Sequence, residues 1–198
     1  MKALKKIGVI GAGQMGNGIA HVCALAGYDV KLNDISEDRI KTGLANINGN
    51  MQRQVTKALI SEGDRQTALA RIVPAAAFKD LTDCDLVIES ASEKEEVKKK
   101  IFVELSALMP KDALLASNTS SISITRLGAT TDRPEKFIGI HFMNPVPLME
   151  LVELVRGIAT DEETFEASKE FVSRLQKTYA VAEDFPAFIV NRILLPMI

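Results

Sequence analysis

Ile7-Gly8-Val9-Ile10-Gly11-Ala12-Gly13-Gln14-Met15-Gly16 runs a short apolar stretch straight into three glycines spaced G-x-G-x-x-G. A helical pattern follows without a gap, from Met15 to about Ala26. Strand, glycine turn and helix in that order are what a dinucleotide-binding turn requires. Gly11 lets the chain turn sharply as it leaves the strand. Gly13 has no side chain, so a pyrophosphate can approach the backbone. Gly16 lets the helix pack close against the strand. Gln14 and Met15 lie in the first turn of that helix, whose unpaired N–H groups and positive dipole end face the phosphates.

Working outward, Gly27-Tyr28 turns the chain into Asp29-Val30-Lys31-Leu32-Asn33-Asp34, a second strand that ends on an acid 18 residues past Gly16. A carboxylate there accepts hydrogen bonds from the adenine ribose hydroxyls and repels a 2′-phosphate. No Arg follows Asp34 directly. NAD is therefore favoured over NADP.

The bulk numbers suit a soluble α/β protein. The 198 residues hold one good-sized domain, or one domain and the start of another. A net charge of −2 supplies no basic field to recruit nucleic acid or an anionic membrane. Cys23 and Cys84 lie far apart among apolar residues, which reads as two reduced, buried thiols with no disulfide or metal site. No apolar run approaches the ~20 residues of a membrane span, and a strand starts too early for a signal peptide. A cytoplasmic location is expected.

Further along, Ser36 caps a long helix expected to reach about Ser61, with Gly63 near its end. Arg71–Pro74 and Cys84–Glu89 are strand candidates. The continuous apolar centre of the second suits a parallel sheet covered on both faces. A charged helix from Glu93 to about Leu108 follows, with Glu95–Lys99 and Glu96–Lys100 as surface pairs. Leu114–Ser117 and Lys136–His141 are buried strands, and Glu150–Val155 is read as a strand at the sheet edge. Thr160 is expected to cap a helix from Asp161 to about Leu175, and Tyr179–Ala182 closes the sheet. Strands alternating with helices imply a Rossmann-like, doubly wound, mostly parallel sheet. The apolar segment Phe188–Ile198 calls for a partner surface.

Ligands of doubly wound sheets sit beyond the carboxyl ends of the strands. Three such ends carry polar clusters: Glu89 to Glu93, Ser117 to Ser121 and His141 to Pro145. One of only two histidines, His141 can exchange a proton near neutral pH, which suits alcohol/ketone interconversion. It needs a carboxylate to fix its tautomer; Glu153 leads and Glu150 is the rival. His21, on one face of the first helix with no polar cluster, reads as structural or solvated.

Together these segments bear a resemblance. Val9–Gly16, Asp85-Leu86-Val87-Ile88-Glu89, Ala116-Ser117-Asn118-Thr119-Ser120-Ser121, His141-Phe142-Met143-Asn144-Pro145 and Phe188-Ile189-Val190-Asn191-Arg192 resemble, in order and spacing, the short-chain 3-hydroxyacyl-CoA dehydrogenases, most closely the bacterial 3-hydroxybutyryl-CoA dehydrogenases. The resemblance implies His141 as the catalytic base, Glu153 as its partner, Ser120 as a hydrogen bonder to the substrate's 3-oxygen and Asn191 as a holder of the thioester or enolate oxygen. It implies that Asn118, Glu93 and Lys98 line the nicotinamide side, with Lys98 near coenzyme A. The family continues for about another hundred residues into a helical domain, ordinary in size, that builds most of a homodimer contact. Residues 1–185 are thus expected to form the NAD-binding unit, and 186–198 the start of the link to a helical domain missing from this chain. The family's Pro-Gly-Phe is here Pro186-Ala187-Phe188; if the backbone there is left-handed, alanine strains it and shifts Asn191. Two other readings stand beside this one: an NAD-binding fragment without activity of its own, and a relative of the β-hydroxyacid dehydrogenases. The latter use a lysine where this chain offers His141 and Glu153.

Overall fold

The computed structural model describes residues 3–198, so the first two residues of the expected NAD-binding unit lie outside the described residues. Eight strands form one sheet: β1 (Lys6–Ile10), β2 (Asp29–Asn33), β3 (Ile72–Ala75), β4 (Leu86–Glu89), β5 (Leu114–Ser117), β6 (Phe137–Phe142), β7 (Leu151–Arg156) and β8 (Thr178–Glu183). Their spatial order is β3-β2-β1-β4-β5-β6-β7-β8, and every neighbouring pair is parallel except β6 and β7. The first six strands have the order of a doubly wound dinucleotide-binding fold.

The strands alternate between two cores. Leu86 and Ile88, Leu114 and Ala116, and Ile138 and Ile140 enter one. Val87, Leu115 and Phe137 enter the other. This period of two buries both faces and explains the near-continuous apolar runs. The first core includes residues of α1 (Gln14–Leu25), α2 (Glu37–Thr56), α3 (Glu62–Ala70) and α6 (Glu162–Arg174); the second includes residues of α4 (Glu95–Leu108) and α5 (Ile124–Gly128). Phe102 of α4 meets Phe137 edge-on, ring centroids 4.7 Å apart, in the second core. α7 (Val190–Leu194) closes the series.

Several local expectations are corrected. The long helix from Ser36 breaks. Ala58 turns left-handed (φ 54°), and Ser61 and Asp64 form a capping box that starts α3, so Gly63 lies inside a second helix. β7 is interior, because β8 pairs along its outer side in parallel register; the edge strand is β8. Asp161, not Thr160, caps α6: its Oδ1 accepts from the Thr164 N–H at 2.7 Å. The Thr160 hydroxyl instead donates to the Phe137 carbonyl oxygen, tying β6 to the turn before α6. Glu95 pairs with Lys99 at 3.0 Å, but Glu96 also meets Lys99, at 3.3 Å, rather than Lys100.

His21 is buried between α1 and α2. Its Nε2 meets Gln54 Oε1 at 2.9 Å, and its Nδ1 has no partner among the described residues. Burial lowers its pKa from the ordinary 6.5, outweighing the Gln54 hydrogen bond that raises it. A folded-state pKa below the unfolded value favours folding above about pH 6.5 and loses that advantage as pH falls toward the lower value, since the unfolded chain takes the proton more readily. Denaturant midpoints measured from pH 8 to 5 should therefore fall more steeply for the wild type than for His21→Leu. Parallel curves would refute this origin of acid sensitivity.

Candidate functional site

The glycine turn is built as its spacing requires. Gly11 has φ +97°, and a Cβ there would stand 2.4 Å from the Ser90 carbonyl oxygen. At Gly16 a Cβ would lie 1.6 Å from the Gly11 carbonyl oxygen, so only glycine lets α1 leave the strand at this angle. A Cβ on Gly13 would meet nothing within 4 Å. Gly13 is also the N-cap of α1 and offers no side-chain cap, so the first N–H groups of the helix are left for a ligand. The open space beside Gly13 suits a group that must touch the backbone itself.

Gly11, Gly13, Gln14 and Met15 border a cavity of about 1150 Å³. Its wall continues across the carboxyl ends of four more strands: Asp34 after β2, Ser90 and Glu93 after β4, Asn118 and Ser120 after β5, and His141 on β6, with Asn191 from α7. Asp34 is fixed by the turn it serves. One oxygen accepts the Ala12 N–H and the other the Ile35 N–H, each at 2.7 Å. Arg39 of α2 lies beside it, Nε 4.0 Å from Asp34 Oδ1. Sequence reading missed Arg39, since only the return of α2 brings it to the cavity.

At the other end, β6 and β7 put His141 opposite Glu153 in antiparallel register. His141 Nδ1 and Glu153 Oε2 are 2.6 Å apart, with His141 5% and Glu153 0% exposed. The second carboxylate oxygen accepts the N–H groups of Ile189 and Val190 at 2.9 and 2.8 Å. Burial alone would raise the Glu153 pKa, but the His141 hydrogen bond and the two backbone N–H groups together hold it below the ordinary 4.5. Glu153 is then anionic at neutral pH and only accepts, so Nδ1 must carry a proton and Nε2 of neutral His141 presents a lone pair. Glu150, the rival partner, is exposed beyond the start of β7.

The loop after β5 is held from behind. Glu93 Oε1 accepts from the Thr119 hydroxyl and the Ser120 N–H, at 2.6 and 2.7 Å. Burial opposes ionisation of Glu93, yet the Thr119 bond, the Lys98 ammonium and the Ser120 N–H lower its pKa overall. Asn118 joins two strand ends: its Oδ1 accepts the Phe142 N–H at 2.8 Å and its Nδ2 donates to the Ser90 hydroxyl at 3.2 Å. Asn191 Nδ2 donates to the Ser120 carbonyl oxygen at 3.2 Å. Lys98 departs from what the resemblance implies. It is 1% exposed and turned inward onto Glu89, and it does not border the cavity. Sequence reading also passed over Asn144, whose Oδ1 accepts from Gln14 Nε2 at 3.0 Å across the cavity mouth.

The family described as "3-hydroxyacyl-CoA dehydrogenase, NAD binding domain" matches residues 6–185. The chain belongs to this family. As a member it binds NAD. The 3-hydroxybutyryl-CoA dehydrogenase of Bradyrhizobium diazoefficiens is 72% identical over 98% of this chain and 67% of its own length. Among solved structures, (S)-3-hydroxybutyryl-CoA dehydrogenase PaaH1 from Ralstonia eutropha superposes with a TM-score of 0.97 at 42% identity, covering 98% of this chain and 69% of that one. FadB2 of Mycobacterium tuberculosis superposes with a TM-score of 0.96 at 41% identity, covering 99% and 70%. The chain thus spans about two thirds of the length of these relatives.

Two outcomes are expected. Asp34→Ala should weaken NAD binding about tenfold or more, the worth of charge-assisted hydrogen bonds to the ribose, as read by calorimetry on folded protein. An unchanged Kd would place the ribose elsewhere. Ala187 has φ +67° and Phe188 φ +49°, so the family glycine position is left-handed here. Ala187→Gly should relieve strain and raise stability by about 0.5–1 kcal/mol after allowing for glycine's freer unfolded chain. The melting temperature should rise by about 1–4 °C, and a fall would show that the strain is absent.

Proposed function

We propose that this chain carries the NAD site and proton-transfer pair of an oxidoreductase that interconverts 3-hydroxyacyl-CoA and 3-oxoacyl-CoA thioesters, with 3-hydroxybutyryl-CoA and acetoacetyl-CoA as the leading pair. The observation that carries this reading is the 2.6 Å His141–Glu153 contact in the wall of the NAD cavity. The names of the relatives support the thioester class.

NAD, held by the Gly11–Gly16 turn and Asp34, would supply the hydride acceptor for carbon 3, and NADH the hydride donor in reverse. The chain's own residues manage the proton and the oxygen. His141 Nε2 takes the hydroxyl proton as hydride leaves, and Glu153 stabilises the imidazolium through Nδ1. In the reductive direction the imidazolium gives that proton to the developing alkoxide. On this reading the Ser120 hydroxyl hydrogen-bonds the 3-oxygen and the Asn191 amide binds the thioester oxygen, donors for the atoms where charge changes. Phe188, edge-on to the His141 ring at 5.9 Å and 3% exposed, shields the pair from water. On this reading residues 1–185 are the nucleotide unit, and 186–198 lead toward a helical domain through which two chains pair. The exposed Ile193, Leu194, Leu195, Met197 and Ile198 support it.

Acetoacetyl-CoA added to the full-length protein with NADH should cause loss of NADH absorbance. His141→Ala should lower kcat by about 10²- to 10⁴-fold while NADH still binds. No turnover, or turnover that ignores His141→Ala, would sink this reading.

A further inference from the structure

Behind the loop that carries Ser120 lies a charged cluster with no part in the chemistry above. Glu89, the last residue of β4, is 0% exposed, and Lys98 of α4 is 1% exposed. Lys98 Nζ donates to both Glu89 oxygens, at 2.8 and 2.9 Å. Glu89 also accepts from the hydroxyl of Ser117, the last residue of β5, and from the Ala91 N–H, each at 2.7 Å. An ion pair this deep bears a heavy desolvation cost, and apolar side chains of equal volume often stabilise a fold as well. What it provides in return is geometry. On its outer side Lys98 Nζ stands 3.5 Å from Glu93 Oε2. Glu93 in turn holds the Ser120 and Ser121 N–H groups, at 2.7 and 3.2 Å. A series of hydrogen bonds joined by one ion pair therefore runs from Ser117 through Glu89, Lys98 and Glu93 to Ser120.

We propose that Glu89 is a positioning residue for the nicotinamide end of the NAD site. Two carboxylates share one ammonium, so Glu89 sets how far Lys98 can pull on Glu93. Without the Glu89 charge, Lys98 moves toward Glu93 and draws that carboxylate off the Ser120 loop. The adenosine end is spared, because Asp34 is fixed by the separate N–H groups of Ala12 and Ile35. The inference rests on the proposed function in one respect: hydride moves at the His141 end, which makes that the nicotinamide end.

Calorimetric titration with NADH and with ADP-ribose, which lacks the nicotinamide, tests this on the wild type, Glu89→Gln and Ser117→Ala. Glu89→Gln should weaken NADH about tenfold and leave ADP-ribose within about twofold; Ser117→Ala should weaken NADH alone, by about threefold. A purely structural role would weaken both ligands together, and that result, or no change in either, overturns the proposal. Should Glu89→Gln fail to fold, Ser117→Ala decides alone, since it deletes one hydroxyl and leaves the ion pair. Turnover of acetoacetyl-CoA is read in parallel. A wild type that splits the two ligands on mutation yet never turns over leaves this inference standing and overturns the proposed reaction.

Discussion

The Glu153 carboxylate has no solvent exposure and three donors: His141 Nδ1 on one oxygen, the N–H groups of Ile189 and Val190 on the other. A lone carboxylate so buried would cost several kcal/mol, and charge-assisted hydrogen bonds of this number offset it. The arrangement ties two parts of the chain, far apart in sequence, to one side chain. It sets the tautomer of the histidine and also the entry of the segment that delivers Asn191. Because its folded-state pKa is depressed, the stability Glu153 contributes is present above the ordinary 4.5 and is lost as pH falls through the lower folded value. A single proton on Glu153 would then loosen His141 and the segment that carries Asn191 together.

The sheet explains how so few residues do so much. Parallel strands end at one level, and the order β2-β1-β4-β5-β6 sets their ends side by side from Asp34 to His141. β2, β4, β5 and β6 contribute polar groups at or near their carboxyl ends, while alternating side chains further back fill the two cores. Reversal at β7 returns the chain so that Glu153 faces His141 across a ladder. The rotational freedom of that pair is lost when the sheet forms, and nothing remains to be ordered when a substrate arrives.

Much of this was legible in the residue order because the controlling physics is local. The glycine turn, the acid at Asp34 and the strand ends depend on neighbours within a few residues. The alternation of buried side chains is likewise a property of each strand by itself. What was not legible depends on what comes to lie opposite. Gln52 and Gln54 gave no warning that α2 would end at Thr56, since the decision rests on the Ser61–Asp64 box and a left-handed Ala58. β7 looked like an edge strand because its sequence cannot show β8 returning alongside. The resemblance set Lys98 on the nicotinamide side, and only the meeting of β4, β5 and α4 shows that its partner is Glu89. Arg39 joins the cavity for a similar reason, brought in by a helix whose path the sequence leaves open.

The three glycines of the turn answer to different selective demands. An alanine at Gly16 has no room in the folded chain, whatever is bound. An alanine at Gly13 meets empty space, so its cost to the fold is confined to a poorer N-cap for α1. Folded yield would therefore fail at Gly16 and survive at Gly13, where only the open approach to the backbone is narrowed. Two glycines three residues apart thus divide the turn between architecture and access.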